Sequence, residues 1–246
     1  MNTPYKIVGH RGWPQRFPEN SAVGGLEAFR HGADAVELDV QFSADGESFV
    51  VHDESLQRTA DANGSVHEHR SAELKKISVH EPRRFGSEHF PCYLSSLRDY
   101  CDSLNSSVDS GQLIFIEVKE ESIGRVGRQQ SLREVLAASS VLGDRRAIIS
   151  FDYEFIRLAK HSCRLPLGWI LEQCNETTLQ QAFALGVEMM ATDWKKIPPH
   201  WNLRSHPWSW FIYDIVDPHR AAYWAERGVD YIETWDLSAL YNSRDS

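Results

Sequence analysis

Two rhythms of apolar positions alternate along the chain. Short runs rich in β-branched residues fall at 6–10, 35–40, 113–118, 147–150, 167–171, 188–192, 210–214 and 231–233. Between most of them lie longer amphipathic stretches, such as 131–139, 153–161, 177–185 and 218–227. Apolar strands that alternate with helices indicate βα units and a parallel sheet. Eight such units point to an α/β fold of the closed (β/α)8 TIM-barrel type. A doubly wound open sheet is the structural alternative.

A ninth run, 48–52, follows 35–41 after only a short Asp45-Gly46 turn. A parallel crossover needs a dozen or more residues, whereas a hairpin needs only a tight turn. The run therefore reads as an antiparallel return outside the eight, which would bring His52 back beside Asp39. Residues 53–110 are polar and fit the repeat poorly. Segments of this length in a barrel are usually functional loops or small subdomains. The reading is a single barrel domain over 1–246 with a small inserted cap subdomain at 54–110, ending in an amphipathic helix near 94–104.

Composition narrows the class. Lys and Arg total 26 against 35 Asp and Glu, a formal charge of 26 − 35 = −9, which disfavours a nucleic-acid partner. No stretch approaches about 18 apolar residues, so no stable membrane insertion is expected. Met1 to Lys6 is polar and leads straight into Ile7-Val8-Gly9, without the charged start and apolar run of a secretory leader. The four cysteines show no CxxC spacing. Reduced thiols and a cytoplasmic location are the expectation. A homo-oligomer is compatible with the sequence, which does not decide it.

Charged residues recur where barrel strands would end. His10-Arg11 follows the first strand, Glu37 and Asp39 lie on the second, His52 ends the hairpin, and Glu117 and Lys119 lie on the next strand. Residues i and i+2 of a strand share a face, so Glu37 points with Asp39 and Glu117 with Lys119. Burying carboxylates together without a cation costs several kcal/mol, about the effective penalty per buried ion. A hard divalent metal removes that cost, and three carboxylates suit Mg²⁺ or Ca²⁺ better than zinc. Two histidines beside it suit acid/base work. Arg11 and Lys119 would hold the phosphate oxygens of a diester under metal-assisted cleavage.

The same residues carry a resemblance. His10-Arg11-Gly12 followed by Pro18-Glu19-Asn20-Ser21 resembles the HRG…PENT signature of glycerophosphodiester phosphodiesterases. Glu37-Leu38-Asp39-Val40 is similar to their ExDV strand, Asp45-Gly46…Val50-Val51-His52-Asp53 to their DG…VVHD segment, Glu117-Val118-Lys119 to their ExK, and Gly228-Val229-Asp230 to a GVD element before their last strand. The resemblance spans almost the whole chain. It implies a barrel with an inserted subdomain, metal binding by Glu37, Asp39 and Glu117, and His10 and His52 as the acid/base pair. It also implies a small-molecule glycerophosphodiester substrate, attacked by its own neighbouring glycerol hydroxyl and then hydrolysed through a cyclic phosphate.

Two segments depart from that pattern. Phe211-Ile212-Tyr213-Asp214 stands where the family has a WTVN-like stretch, and Thr234-Trp235-Asp236 stands where its last strand reads TD. A lysophospholipase D-like or other phosphodiesterase on the same barrel is therefore the alternative activity, and a non-catalytic binding module the alternative class. His67-Glu68-His69 reads as a solvated loop rather than a metal site. Trp194, Trp201, Trp208 and Trp210 read chiefly as packing. Arg11 can be a structural partner of Glu19 as well as a phosphate ligand.

Overall fold

The computed structural model describes residues 5–106 and 109–241. Nine strands are present among them: β1 (Lys6–Gly9), β2 (Ala35–Phe42), β3 (Ser48–Val50), β4 (Leu113–Val118), β5 (Arg146–Ser150), β6 (Leu167–Ile170), β7 (Met189–Asp193), β8 (Ser209–Tyr213) and β9 (Tyr231–Thr234). The pairing runs β1-β2-β4-β5-β6-β7-β8-β9 and closes with β9 on β1, all parallel. The eight-stranded barrel is thus closed, and the open-sheet alternative is set aside.

Alternation along β2 shows how the barrel sorts its side chains. Val36, Leu38, Val40 and Phe42 join the large core between the strands and the outer helices. Ala35 faces inward with Val8, Phe115, Ala147, Ile149, Ile170, Met189, Ala191 and Phe211, which plug the barrel axis. Glu37 and Asp39 share the parity of Ala35 and continue that inner column towards the C-terminal mouth. Every residue of β2 is buried, which explains why the strand reads as a continuous run.

The ninth strand is the antiparallel return. β3 pairs Val50 with Val40, Phe49 with Gln41 and Ser48 with Phe42. It takes the edge of β2 beyond Val36, where the pairing with β1 stops. The Val51 amide donates to the Asp39 carbonyl, and the Gln41 side chain donates to the His52 carbonyl at 2.8 Å. His52 is thereby set next to Asp39.

The outer layer follows the helical stretches of the sequence closely, with helices at Ala22–Arg30, Arg128–Ala138, Tyr153–Ser162, Glu176–Leu185 and Pro218–Glu226. Side chains of Ser21, Asp152, Asn175 and Asp217 accept from backbone amides of the first turns and fix where four of these helices begin. The exception lies between β7 and β8, where two short 3-10 turns, Trp194–Lys196 and Leu203–Ser205, replace an α-helix. Trp201, Trp208 and Trp210 fill that side of the core.

Past β3 the chain forms a small core of its own from Val51, Leu56, Ala60, Val66, Leu74, Val79 and Leu94, with Phe49 of β3. Helix Leu97–Asn105 does not share it. Its Leu97, Tyr100, Cys101 and Leu104 are fully buried in the main core, so this helix is the crossover that returns the chain from β2 to β4. The helix also lies slightly later than the apolar run at 94–104, because Ser96 caps it by accepting from the Asp99 amide. No described helix is long and apolar enough to cross a membrane.

Candidate active site

The C-terminal ends of the barrel strands surround a cavity of about 170 Å³. Register brings the carboxylates there. Asp39 on β2 pairs directly with Glu117 on β4, and Glu37 sits one inward position below Asp39. His10 leaves the end of β1, its amide donating to the Thr234 carbonyl at 3.0 Å. His52 comes from the hairpin and Lys119 from the residue after β4. All seven residues singled out in the sequence line this one cavity.

The motif around Gly12 shapes the entry. Arg11 has φ 55° and Gly12 φ 89°, so the chain doubles back after β1. A Cβ on Gly12 would lie 2.8 Å from the Gly24 backbone, which leaves glycine as the residue that fits this turn. The turn aims the Arg11 amide at Glu37 Oε2, 3.1 Å away, and the Arg11 guanidinium at Asp39, with Nε 3.1 Å from Oδ2. It also lets Arg11 Nη1 donate to Glu19 Oε1 at 2.9 Å. Arg11 is therefore anchored by Glu19, as its structural reading has it, while it lines the cavity.

Asp39 is the best satisfied of the three clustered acids, Glu37, Asp39 and Glu117. Asn20 Nδ2 donates to its Oδ2 at 2.9 Å, and the Asp39 amide donates back to Asn20 Oδ1 at 3.1 Å. Lys119 Nζ lies 3.4 Å from the other oxygen. Burial would raise the Asp39 carboxyl, but Arg11, Lys119 and Asn20 outweigh it and hold it well below the usual carboxylate range. Lys119 donates more closely to Glu117 Oε1, at 2.6 Å.

Glu37 is in the opposite condition. It is 2% exposed, and its Oε1 is buried with no hydrogen-bond partner. Burial first, then Asp39, Glu233 and Glu117, push its carboxyl well above the ordinary value. Burial likewise raises Glu117, with Lys119 opposing. Five carboxylates line the cavity (Glu37, Asp39, Glu117, Asp214 and Glu233) against two permanent cations, Arg11 and Lys119. Ionised together they leave 5 − 2 = 3 negative charges uncompensated. The oxygens of Glu37, Asp39 and Glu117 lie within 4.8 Å of one another. That donor set and the orphaned Glu37 oxygen fit a divalent cation. Neither acidic group with that geometry among the described residues includes His67, Glu68 or His69.

The histidines differ. His10 is lowered to about 3, by burial first and then by Arg11, so it is a neutral imidazole at physiological pH. Its Nδ1 lies 3.7 Å from Asp214 and its Nε2 3.8 Å from Glu233. His52 Nδ1 is 2.6 Å from Asp53 Oδ1. Arg58 then ties Asp53 to Glu19, donating to Asp53 Oδ2 at 2.6 Å and to Glu19 at 2.6 and 2.7 Å. A continuous line of polar contacts runs from His52 through Asp53, Arg58, Glu19 and Arg11 to Asp39.

Several of these participants were not singled out as site residues. Glu19 and Asn20 lie inside the Pro18–Ser21 motif, where their chemistry was legible once Asp39 was placed. Glu233 carried the same signal as Glu37, an acid inside a buried strand run. Arg58 carried no local signal, since only the fold brings it to Glu19.

With this geometry in view, comparison with known proteins identifies the family. Residues 10–207 match the Glycerophosphoryl diester phosphodiesterase family. The chain belongs to that family. A glycerophosphodiester phosphodiesterase of Bacillus altitudinis is 44% identical over 153 residues, 62% of this chain and 60% of that protein. One of Caldanaerobacter subterraneus subsp. tengcongensis is 29% identical over 172 residues, 69% of this chain and 67% of that protein. The matched part thus spans about two thirds or less of these relatives. Among solved structures, an Oleispira antarctica phosphodiesterase in complex with the product sn-glycerol-3-phosphate shares the fold with a TM-score of 0.85, at 20% identity over 98% of this chain and 97% of that one. A Thermotoga maritima glycerophosphodiester phosphodiesterase superposes with a TM-score of 0.77 at 20% identity, covering 100% of both chains.

The Arg58 bridge makes a pH-dependent prediction. Burial would raise Asp53, but hydrogen bonds from Arg58 and His52 outweigh it and bring it to about 2, below an unfolded value of about 3.9. A depressed carboxyl stabilises the fold above its unfolded pKa and loses that contribution as pH falls through the folded one. Arg58→Ala should therefore be less stable than wild type by a margin that is widest above about pH 4 and closes towards pH 2. Denaturant melts across that range would show it. A margin that stays constant with pH would remove the bridge from the account.

Proposed function

We propose that this protein hydrolyses glycerophosphodiesters to an alcohol and sn-glycerol 3-phosphate. The observation that carries this reading is one cavity in which His10 and His52 flank a buried carboxylate set, in a member of this family. The names of the Bacillus and Caldanaerobacter relatives support it, as does the sn-glycerol-3-phosphate in the Oleispira structure.

In this reading Glu37, Asp39 and Glu117 hold a divalent cation, Mg²⁺ or Ca²⁺. When bound it screens the phosphate and stabilises charge that builds on its oxygens. The chain's own groups do the rest. Arg11 and Lys119 hold non-bridging phosphate oxygens, both pre-positioned by their bonds to acids. His10, a neutral imidazole, takes the proton from the attacking glycerol hydroxyl as that oxygen bonds to phosphorus. His52, held in place by Asp53 2.6 Å from its Nδ1, gives a proton to the alcohol oxygen as its bond to phosphorus breaks. Water then opens the cyclic phosphate with the two roles exchanged.

The proposal extends to the alcohol. Phe211 and Tyr213 project from β8 into the cavity, and Asp214 follows at its rim with a side chain 48% exposed. An adjoining groove is lined by Asp214, Trp235 and Arg84 among others. Arg84 is committed to Glu81 and to the Pro14 carbonyl. A half-exposed carboxylate that shares this groove with the exposed Trp235 ring suits a cationic alcohol, which both would attract. Small diesters such as glycerophosphocholine or glycerophosphoethanolamine are the preferred class in this reading.

The activity is tested by incubating the chain with glycerophosphodiesters and lysophospholipids, with Mg²⁺, Ca²⁺ or chelator, and assaying sn-glycerol 3-phosphate. Release from the small diesters that chelation abolishes and metal restores is expected. Exclusive turnover of lysophospholipids would favour the lysophospholipase D-like alternative, and full activity after thorough chelation would sink the metal assignment. His10→Ala and His52→Ala should each lose roughly 10²–10⁴-fold in turnover, the scale of general acid–base catalysis. A diester with a nitrophenol leaving group needs no protonation, so it should recover much of the loss in His52→Ala but not in His10→Ala. Equal losses on both substrates would refute the division of roles. Asp214→Asn should lower the ratio of kcat/KM for cationic over neutral diesters, and an unchanged ratio removes Asp214 from the specificity argument.

A further inference from the structure

Glu233 is not used by the chemistry above, and burial first, then Asp214 and Glu117, push its carboxyl well above the ordinary value. It is 3% exposed on β9, and its inward position faces Glu37 and Glu117 across the cavity. Its pairing partner in the sheet is Val8, so no cation neighbours it there. His10 Nε2 lies 3.8 Å from its Oε2, which is beyond hydrogen-bond range. A carboxylate placed so deeply among others is costly unless something positive reaches it.

Two features converge on that point. Donor atoms of His10, Glu37 and Glu233 lie within 4.8 Å of one another, a second compact set that shares Glu37 with the Glu37–Asp39–Glu117 set. Glu37, common to both sets, has its Oε1 buried with no hydrogen-bond partner, while Oε2 is taken by the Arg11 amide. Glu37 thus has one oxygen that the protein leaves unused. His10 stands between two carboxylates, with Asp214 3.7 Å from Nδ1 and Glu233 3.8 Å from Nε2.

We propose that His10, Glu37 and Glu233 form a second divalent-cation site, bridged by Glu37 to the first. Resting on the phosphodiesterase reading for the first site, it makes the cavity a two-cation centre. Paired ions in phosphoryl-transfer sites sit about 3.5–4 Å apart with ligands in common. A set of one imidazole and two carboxylates suits a borderline ion such as Mn²⁺ better than Ca²⁺, which takes oxygen alone. The second ion and proton transfer compete for the same imidazole. Occupancy of the second site takes His10 out of acid/base work, so rising Mn²⁺ should first activate and then inhibit.

Mn²⁺ titrated into the metal-stripped full chain tests this without substrate. Calorimetry should count two ions per chain, and electron paramagnetic resonance should show a spin-coupled pair. Glu233→Gln should retain one ion with an uncoupled six-line spectrum. A single ion in the wild type overturns the proposal whether or not the variant folds. Two ions retained in a folded Glu233→Gln overturn Glu233 as a ligand. Turnover measured in parallel keeps the readings apart. Two ions without glycerophosphodiester cleavage would leave this site standing and remove the proposed activity, whereas cleavage with one ion would do the reverse.

Discussion

The pairing of Asp39 with Glu117 across β2 and β4 is the constraint on which the rest of the site depends. Parallel register fixes which inward side chains meet, and the barrel is too narrow to hold acids apart once they point to its axis. Glu37 is added by the two-residue period of β2, and Glu233 by β9 on the far side of His10. Such a cluster is destabilising in isolation. The molecule answers with fixed countercharges, and where these stop, at Glu37 Oε1, an oxygen is left for something from solution.

Those countercharges are arranged in series rather than in pairs. Glu19 receives Arg11 on one side and Arg58 on the other, and the Glu81 carboxylate accepts from its amide at 2.6 Å. Arg58 and Glu81 both belong to the segment inserted after β3. That segment is therefore coupled to the loop after β1 by charge, while its apolar residues pack in a separate core. A short surface insertion has little apolar area with which to dock. Here the docking runs through a buried carboxylate, where a hydrogen-bonded ion pair is stronger than on an open surface. The same bridge holds Asp53 beside His52, so the insertion is tied to the cavity through charge.

Much of this was legible in the chain because strands impose parity. The runs at 35–40 and 113–118 gave the barrel and also said which acids shared a face. The short Asp45-Gly46 turn was enough to return His52 to Asp39. What parity does not encode is which layer a helix joins. From the sequence the apolar run ending at Leu104 reads as the end of the inserted segment. Only the burial of Tyr100 and Cys101 against the main core decides for the crossover. The missing helix between β7 and β8 was hidden for a related reason, since Trp201 and Trp208 fill volume that a helix would otherwise occupy. Arg58 lies 39 residues from Glu19, and no local pattern announces a contact made by folding.

Backbone conformation at the mouth carries the same division of labour. Among the described residues, four that are not glycine have positive φ: Arg11, Asn20, Glu81 and Asp214. Each costs of the order of 1–3 kcal/mol in such a conformation. Arg11 faces Asp39, Asn20 clamps the same acid, Glu81 receives the Glu19 amide, and Asp214 stands beside His10. None of the four lies within a barrel strand. Strain is thus gathered in the loops at one end, next to the acids carried on β2, β4 and β9, and the apolar plug and the continuous parallel pairing below them hold the fold. A barrel can sustain that arrangement because its strands do not need the loops for closure. The loops are free to hold conformations and charges that would be unstable on their own, and those are the features that leave an unpaired oxygen and a neutral imidazole facing the same cavity.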